Sequence, residues 1–243
     1  MRLEGRRILI TGAGSGIGLA AMHMLQREGA RVGAIDLKPM EMTAGSIAAV
    51  ADVSREDDVM DAVEILAKGL GGLDGVVNSA GIDFIRQFSE MASADWHRIM
   101  AVNLNGPFHV CKAALPHLKQ AGAGTIVNIS SAAGLRPLEH RTAYCASKAG
   151  LVMFTKTLAA DLAGDDIRAN VICPGIVDTP LFHASFEQAA DPHAELARIK
   201  DRYVIKRAAR PDEIAAAVVF LSSAESSYIT GTALAVDGGR SFH

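Results

Sequence analysis

Tyr144 and Lys148 stand four residues apart in the segment TAYCASKAGLVMFTKTLAA, so on a helix their side chains project from one face a single turn apart. A free phenol titrates near ~10 and is a poor base at neutral pH. A neighbouring ammonium stabilises the phenolate, and a second positive charge in a water-poor cleft adds to the effect. Lowering the phenol by ~3 units requires ~4 kcal/mol, which two close cations can supply in such a cleft. Ser131, directly after a β-branched run, offers a hydroxyl to a substrate oxygen as charge develops on it. These side chains suit proton transfer to and from an oxygen.

A second set of residues is built to hold phosphate. The run TGAGSGIG, Thr11 to Gly18, has the spacing G-x-x-x-G-x-G through Gly12, Gly16 and Gly18, with Gly14 extra. It is not G-x-G-x-x-G, because position 17 is Ile17. The physics is shared: Gly12 permits a tight turn off a strand, Gly16 lets backbone approach a pyrophosphate, and Gly18 lets the next helix pack close. The positive end of that helix then meets the phosphates. Asp36 closes the second apolar run, where a carboxylate accepts both hydroxyls of an adenosine ribose and repels a 2′-phosphate. Ser15 and Leu37 occupy the positions where an arginine or lysine would favour NADP, and Lys38 is the one cation nearby. The expected cofactor is NAD, whose cationic nicotinamide is the second charge acting on the phenol.

The elements that must position these groups alternate. Strands are expected at Arg7–Thr11, Arg31–Asp36, Ile47–Asp52, Gly75–Asn78, Gly124–Ser130, Ile167–Cys173 and Ala233–Val236. Helices are expected near Gly16–Glu28, Arg55–Leu70, Ala94–Gln120, Thr142–Ala163 and Pro211–Ser222, the last opened by Pro211, Asp212 and Glu213. That rhythm predicts an α/β fold: one Rossmann-like, doubly wound domain over residues 1–243, with a parallel sheet of about seven strands flanked by helices. Ligands bind such sheets beyond the carboxyl ends of the strands, where strand order reverses. Residues 179–210 break the rhythm with two prolines, mixed charges and exposed-looking Phe182 and Phe186, and are expected to form a substrate lid with short helices.

Net charge is −3, so no footprint for nucleic acid or anionic membrane is present. No window reaches the ~20 apolar residues of a membrane span, and no leader-peptide pattern opens the chain, so a soluble cytoplasmic protein is expected. Cys111, Cys145 and Cys173 are scattered and odd in number, which favours reduced thiols. No histidine spacing suggests a metal, and Ser131 lies in no G-x-S-x-G elbow of a serine hydrolase.

The assembled pattern resembles the short-chain dehydrogenase/reductase family from Leu3 to Gly239. Its anchors are TGAGSGIG, Asp52-Val53, NSAG from Asn78 to Gly81, Asn103, NISS from Asn128 to Ser131, YCASK from Tyr144 to Lys148, PGIVDT from Pro174 to Thr179, and Asp237-Gly238-Gly239. The resemblance implies that Tyr144 is the general acid/base. It implies that Lys148 holds the nicotinamide ribose and lowers the tyrosine pKa, and that Ser131, with Ser130 as its rival, positions the carbonyl. Asn103, unfavourable inside a helix, would bind a water completing a proton relay through Lys148. For the cofactor it implies Gly12, Ser15, Gly16, Ile17 and Gly18 at the phosphates, Asp36 and Leu37 at the ribose, and Asp52 and Val53 at the adenine. Asn78, Ala80 and Gly81 would stabilise the cleft; Val177 and Thr179, beside Pro174 and Gly175, would contact the carboxamide. A homotetramer is also implied. Two departures stand out: NSAG in place of NNAG or NAAG, and a stretch between Asp36 and Asp52 too short for a crossover helix.

Arg141, one turn before Tyr144, is expected to face the same cleft, and Arg202, Arg207 and Lys206 to reach in from the lid. Arginine suits a carboxylate. Here the chain is similar to the cytosolic type-2 (R)-3-hydroxybutyrate dehydrogenase branch and to bacterial dehydrogenases of 2-keto-3-deoxy sugar acids. A third lid arginine of the former falls at about Ser185. The expected reaction is NAD-dependent interconversion of a secondary alcohol and a ketone on a small hydroxy acid or deoxy sugar acid, with Ser131, Arg141, Tyr144 and Arg202 contacting substrate. The alternatives are an NADPH-dependent ketoacyl or sugar-ketone reductase, and a non-catalytic NAD sensor.

Overall fold

Seven strands join one parallel sheet in the order β3-β2-β1-β4-β5-β6-β7, where β1 is Arg7–Thr11, β2 Arg31–Asp36, β3 Ile47–Val50, β4 Gly75–Asn78, β5 Thr125–Ile129, β6 Arg168–Pro174 and β7 Ala233–Val236. The computed structural model describes residues 1–42, 45–187 and 189–242. Strand order reverses between β1 and β4, which pair in register from Ile8 opposite Gly75 to Thr11 opposite Asn78. Both strands therefore end at the same level, and the loops leaving them diverge to open a crevice.

The helices are α1 Gly16–Arg27, α2 Glu56–Leu70, α3 Ser93–Met100, α4 Gly106–Ala121, α5 Thr142–Asp161, α6 Pro180–His183, α7 Pro192–Lys200 and α8 Pro211–Ser222. Side chains alternate along the strands, so Ile8, Ile10, Val77 and Val127 enter one core with Leu25 of α1 and Val218 of α8. Leu9, Val76 and Ile126 enter the other with Leu66 of α2 and Leu118 of α4. Burying each such side chain stabilises by about 1.5–3 kcal/mol. Helix α2 shows how the sequence sets this: Val59, Val63, Leu66 and Leu70 share one stripe and are buried, and Gly71 ends the helix at φ 78°.

Between β2 and β3 the described residues carry no helix, in line with the short stretch read from sequence. The long helix expected over Ala94–Gln120 is broken instead: α3 gives way to a π-helical turn at Ala101–Asn105 before α4 begins. Pro107 is the cause in the sequence. It has no N–H to return to the carbonyl four residues back, which is that of Asn103. Phe182 and Phe186 are half-buried rather than exposed, their rings 5.1 Å apart beside α6. Among the described residues, no helix is long and apolar enough to cross a membrane, and no His/Cys/Asp/Glu group could hold a metal. All three cysteines are free, with Cys111 and Cys173 buried.

Candidate active site at the carboxyl end of the sheet

The glycine loop fills the space between β1 and α1 with almost no room to spare. Gly12 has φ +67° and lies so close to the turn after β4 that a Cβ would stand 2.7 Å from Ala80 Cα. A Cβ at Gly18 would stand 2.0 Å from the Gly12 carbonyl oxygen, so α1 starts hard against the turn. Gly16, φ +54°, meets only the Thr179 side chain at 3.2 Å. Ser15 is extended and makes no side-chain cap, and the first turn of α1 contains no acidic residue. Those first N–H groups thus face an electropositive opening that a pyrophosphate fits.

Asp36 is tied to the same loop. Its carboxylate accepts from Gly14 N–H at 2.9 Å and from Leu37 N–H at 2.7 Å, with the residue left half-exposed at the carboxyl end of β2. Leu37 is 63% exposed. Asp52 instead accepts from the N–H and hydroxyl of Ser54, while buried Val53 packs on Gly106 at the head of α4. On the cleft floor Thr11 Oγ1 accepts from Ser79 and Ala80 N–H, both at 3.2 Å. Asn78 donates to Asn128 at 2.8 Å, and Asn128 donates to Thr155 of α5 at 2.8 Å, so a buried polar chain ties β4, β5 and α5 together. Thr11 and Asn128 open motifs read from the sequence but carried no role there, and Thr155 lies outside every motif; all three are supporting residues.

Tyr144 and Lys148 emerge from the first turns of α5 and both are buried. Lys148 Nζ lies 5.7 Å from the Tyr144 ring centroid and donates to the Ile129 carbonyl at 2.9 Å. Burial holds its pKa down at about 8. Burial also raises the Tyr144 pKa, while the Ser131 hydroxyl and the Arg141 guanidinium pull it the other way. Arg141 is thus a second cation beside the phenol, in addition to Lys148. Ser131 caps a short turn by accepting from Ala133 N–H at 3.1 Å, and its hydroxyl faces the cavity. Ser130 donates to the Lys148 carbonyl at 2.8 Å, so the two hydroxyls have different partners.

Asn103 is fully buried beneath this pair. Its side chain accepts from Ile82 N–H and donates to the Ile82 carbonyl, both at 2.9 Å, and donates to Ser147 at 3.2 Å. Gly81 sits where a Cβ would touch Asn103 Oδ1 and Lys148 Nζ, each at 3.4 Å. The amide therefore has backbone partners on both ends and serves to lock the loop after β4 onto α5.

Tyr144 and Ser131 open onto a cavity of about 680 Å³ bounded by Pro174, Gly175, Val177 and Thr179 after β6. Leu181, Phe182, Ile199 and Arg202 reach its wall from the segment expected to be a lid. Thr179 caps α6 by accepting from Phe182 N–H at 3.3 Å. Arg141 lines the cavity too, but it is ion-paired with Asp83, whose side chain is 7% exposed. Arg207 and Lys206 do not reach in: Arg207 forks onto Glu213 at 2.7 and 2.8 Å, and Lys206 pairs with Asp201 at 3.0 Å. Asp83 and Arg240 are cavity residues that no sequence signal marked.

Comparison with known proteins agrees with this geometry. The sequence profile described as Enoyl-(Acyl carrier protein) reductase matches residues 12–241. The chain is 40% identical to 2-(S)-hydroxypropyl-CoM dehydrogenase 3 of Xanthobacter autotrophicus, over 98% of this chain and 97% of that protein. It is 38% identical to a 3-oxoacyl-acyl-carrier-protein reductase of Thermotoga maritima, over 98% and 99% of the two. The ligand-free aldohexose dehydrogenase of Thermoplasma acidophilum superposes with a TM-score of 0.94 at 32% identity, covering 99% of this chain and 96% of that one. A seven-stranded Rossmann-like sheet, the glycine loop and the Ser131–Tyr144–Lys148 cluster at its mouth make this chain a member of the short-chain dehydrogenase/reductase family, whose oxidoreductases bind a nicotinamide dinucleotide.

Proposed function

We propose that the protein is an NAD(H)-dependent oxidoreductase that interconverts a secondary alcohol and a ketone on an acid-bearing substrate, a hydroxy acid or 2-keto-3-deoxy sugar acid. The observation that carries this reading is the meeting of Ser131 and Tyr144 at one end of a cavity that adjoins the glycine loop. A bound nicotinamide dinucleotide supplies the hydride donor or acceptor. Asp36, braced by Gly14 and Leu37 N–H groups, holds its carboxylate where an adenosine ribose diol would be read, which supports NAD over NADP. Ile17, Asn78, Ala80, Val177 and Thr179 border the same cleft in this reading.

The chain's own residues handle the proton. Tyr144 Oη takes it from the carbinol in oxidation and returns it to the carbonyl oxygen in reduction. Ser131 orients that oxygen by a hydrogen bond that strengthens as charge builds on it. Lys148 turns from the Ile129 carbonyl toward the nicotinamide ribose and the phenolate. The Asn103 carbonyl, denied its helical donor by Pro107, accepts from a water that passes the proton outward from Lys148. Residues 179–210 close over the substrate, with Arg202 at the acid group.

The test is an assay of NAD⁺ and NADP⁺ reduction with paired acids and neutral alcohols. Reduction of NAD⁺ in preference to NADP⁺ by secondary alcohols supports the reading. Preference for NADPH with ketones points to the reductase alternative, and binding of NAD without turnover of any alcohol points to the sensor. The same reading includes a cytoplasmic homotetramer, supported by exposed Phe108 on α4 and Met153 on α5, 45% and 62% exposed, and tested by sedimentation.

A further inference from the structure

The cavity onto which Tyr144 opens is also lined by apolar Phe84, Ile85, Leu138 and Phe182, and it adjoins a second recess of about 560 Å³. The two share Arg136, Leu138, Glu139, Arg202 and Arg240, but neither Ser131 nor Tyr144 borders the recess. Three guanidinium groups meet there from distant parts of the chain: Arg136 from the loop after β5, Arg202 after α7, and Arg240 after β7.

Their partners do not account for them. Arg240 is 9% exposed, and its Nε is buried with no hydrogen-bond acceptor. Among the described residues its guanidinium makes no hydrogen bond or salt bridge, and Arg202 makes no salt bridge. Arg136 reaches only the Arg240 carbonyl, at 3.4 Å. Of the carboxylates nearby, Asp237 offsets the Arg240 charge less than Arg136 and Arg202 oppose it. Asp237 accepts from Gly239 and Ser241 N–H at 3.0 and 2.7 Å, and Asp201 pairs with Lys206. Glu139 is an exposed residue at the recess edge. A buried donor without an acceptor is destabilising, and like charges held together add to that cost. An oxyanion with several lone pairs would relieve both.

We infer that Arg136, Arg202 and Arg240 form the head-group site of the substrate and take a terminal oxyanion, carboxylate, sulfonate or phosphate, separated from the reacting carbinol by an apolar spacer of several bonds. This rests on the oxidoreductase reading above. Arg141, matched by Asp83, is not the clamp. The substrate class is then an extended hydroxy acid reacting far from its charged end; an acid whose carboxylate adjoins the carbinol would leave the recess empty.

The experiment compares secondary alcohols bearing a terminal carboxylate, sulfonate, phosphate or neutral amide on spacers lengthened one methylene at a time. The expected result is a charged-over-neutral ratio of kcat/KM of about 100-fold at one spacer length, consistent with charge-assisted bonds of about 1.5–3 kcal/mol. The best head group identifies the oxyanion. Arg240→Gln and Arg136→Gln should each cut that ratio about tenfold or more, and Arg207→Gln, at a guanidinium held outside the cavity by Glu213, should leave the ratio in place. Arg136 is exposed, so its variant tests the site even if Arg240→Gln folds poorly. A ratio near one at every spacer length, or a ratio that survives both substitutions, overturns the inference while leaving the redox reading intact. Should no alcohol reduce NAD⁺, the redox reading fails, and binding still decides the head-group site. Inorganic sulfate, with chloride matched for ionic strength, should raise the Tm of the parent more than that of Arg136→Gln; equal shifts refute the site.

Discussion

The two ends of the cavity are built on opposite principles. At the inner end the groups around Tyr144 have protein partners: Lys148 on the Ile129 carbonyl, Asn103 on Ile82 and Ser147, Ser131 on Ala133. At the outer end Arg136, Arg202 and Arg240 converge, with the Arg240 Nε buried and without an acceptor. A satisfied network holds atoms in position before a ligand arrives, which is what proton transfer requires. An unsatisfied cluster waits for a ligand to complete it, which is what recognition of an anion requires. The contrast teaches where to look for chemistry and where for specificity in this chain.

Several substitutions break or sharpen that contrast. Loss of the phenol itself apart, the largest effect is expected at the inner end: Lys148→Met should lower kcat by ~10²–10³, measured at saturating NAD⁺. The same variant has a stability signature. Lys148 titrates at about 8 in the fold and near ~10.4 in an unfolded chain. Between those values the unfolded chain holds more protons, so the parent gains stability as pH rises through that window and carries the full cost of the buried charge below it. Lys148→Met should therefore exceed the parent in Tm most at neutral pH, with the difference shrinking toward pH ~10; a constant difference would show that the ammonium is not buried as described.

Asp36→Ala comes next, and should weaken NAD⁺ by about tenfold to a hundredfold while costing NADP⁺ little, read by calorimetry. Arg141→Met separates strut from clamp. Leaving Asp83 buried without its partner should cost about 3 kcal/mol, seen as a lower denaturation midpoint, and Asp83→Asn in the same chain should recover part of it. A loss confined to KM for acids, with no change in stability, would return Arg141 to the clamp. Ser130→Ala should have the smallest effect, below about 1.5 kcal/mol on stability and within a few-fold on kcat, because its hydroxyl is directed at the Lys148 carbonyl.

The inner end was legible in the sequence because its residues hang on strand ends and helix starts. Asp36 closes β2, Asn78 closes β4, Ser131 follows β5 and Tyr144 opens α5, so spacing translated into position. At the outer end Arg202 was legible from its place in the expected lid, but Arg136 and Arg240 were not, because they come from two other loops with no shared period or motif. The pairing of Arg141 with Asp83 was hidden for the same reason: 58 residues separate them. Asn103 lay between these cases. Pro107 was visible, but the apolar period of 94–120 carried the helix through it, and the π-helical turn is where the two signals were reconciled.

The most direct measurement pairs cofactor binding with turnover in Tyr144→Phe. The phenyl ring keeps the packing of the buried site and loses only Oη, so NAD⁺ should bind within a few-fold of the parent while oxidation of the best alcohol falls by ~10³ or more. A variant that binds NAD⁺ equally and turns over at the parent rate would show that the proton leaves by another group.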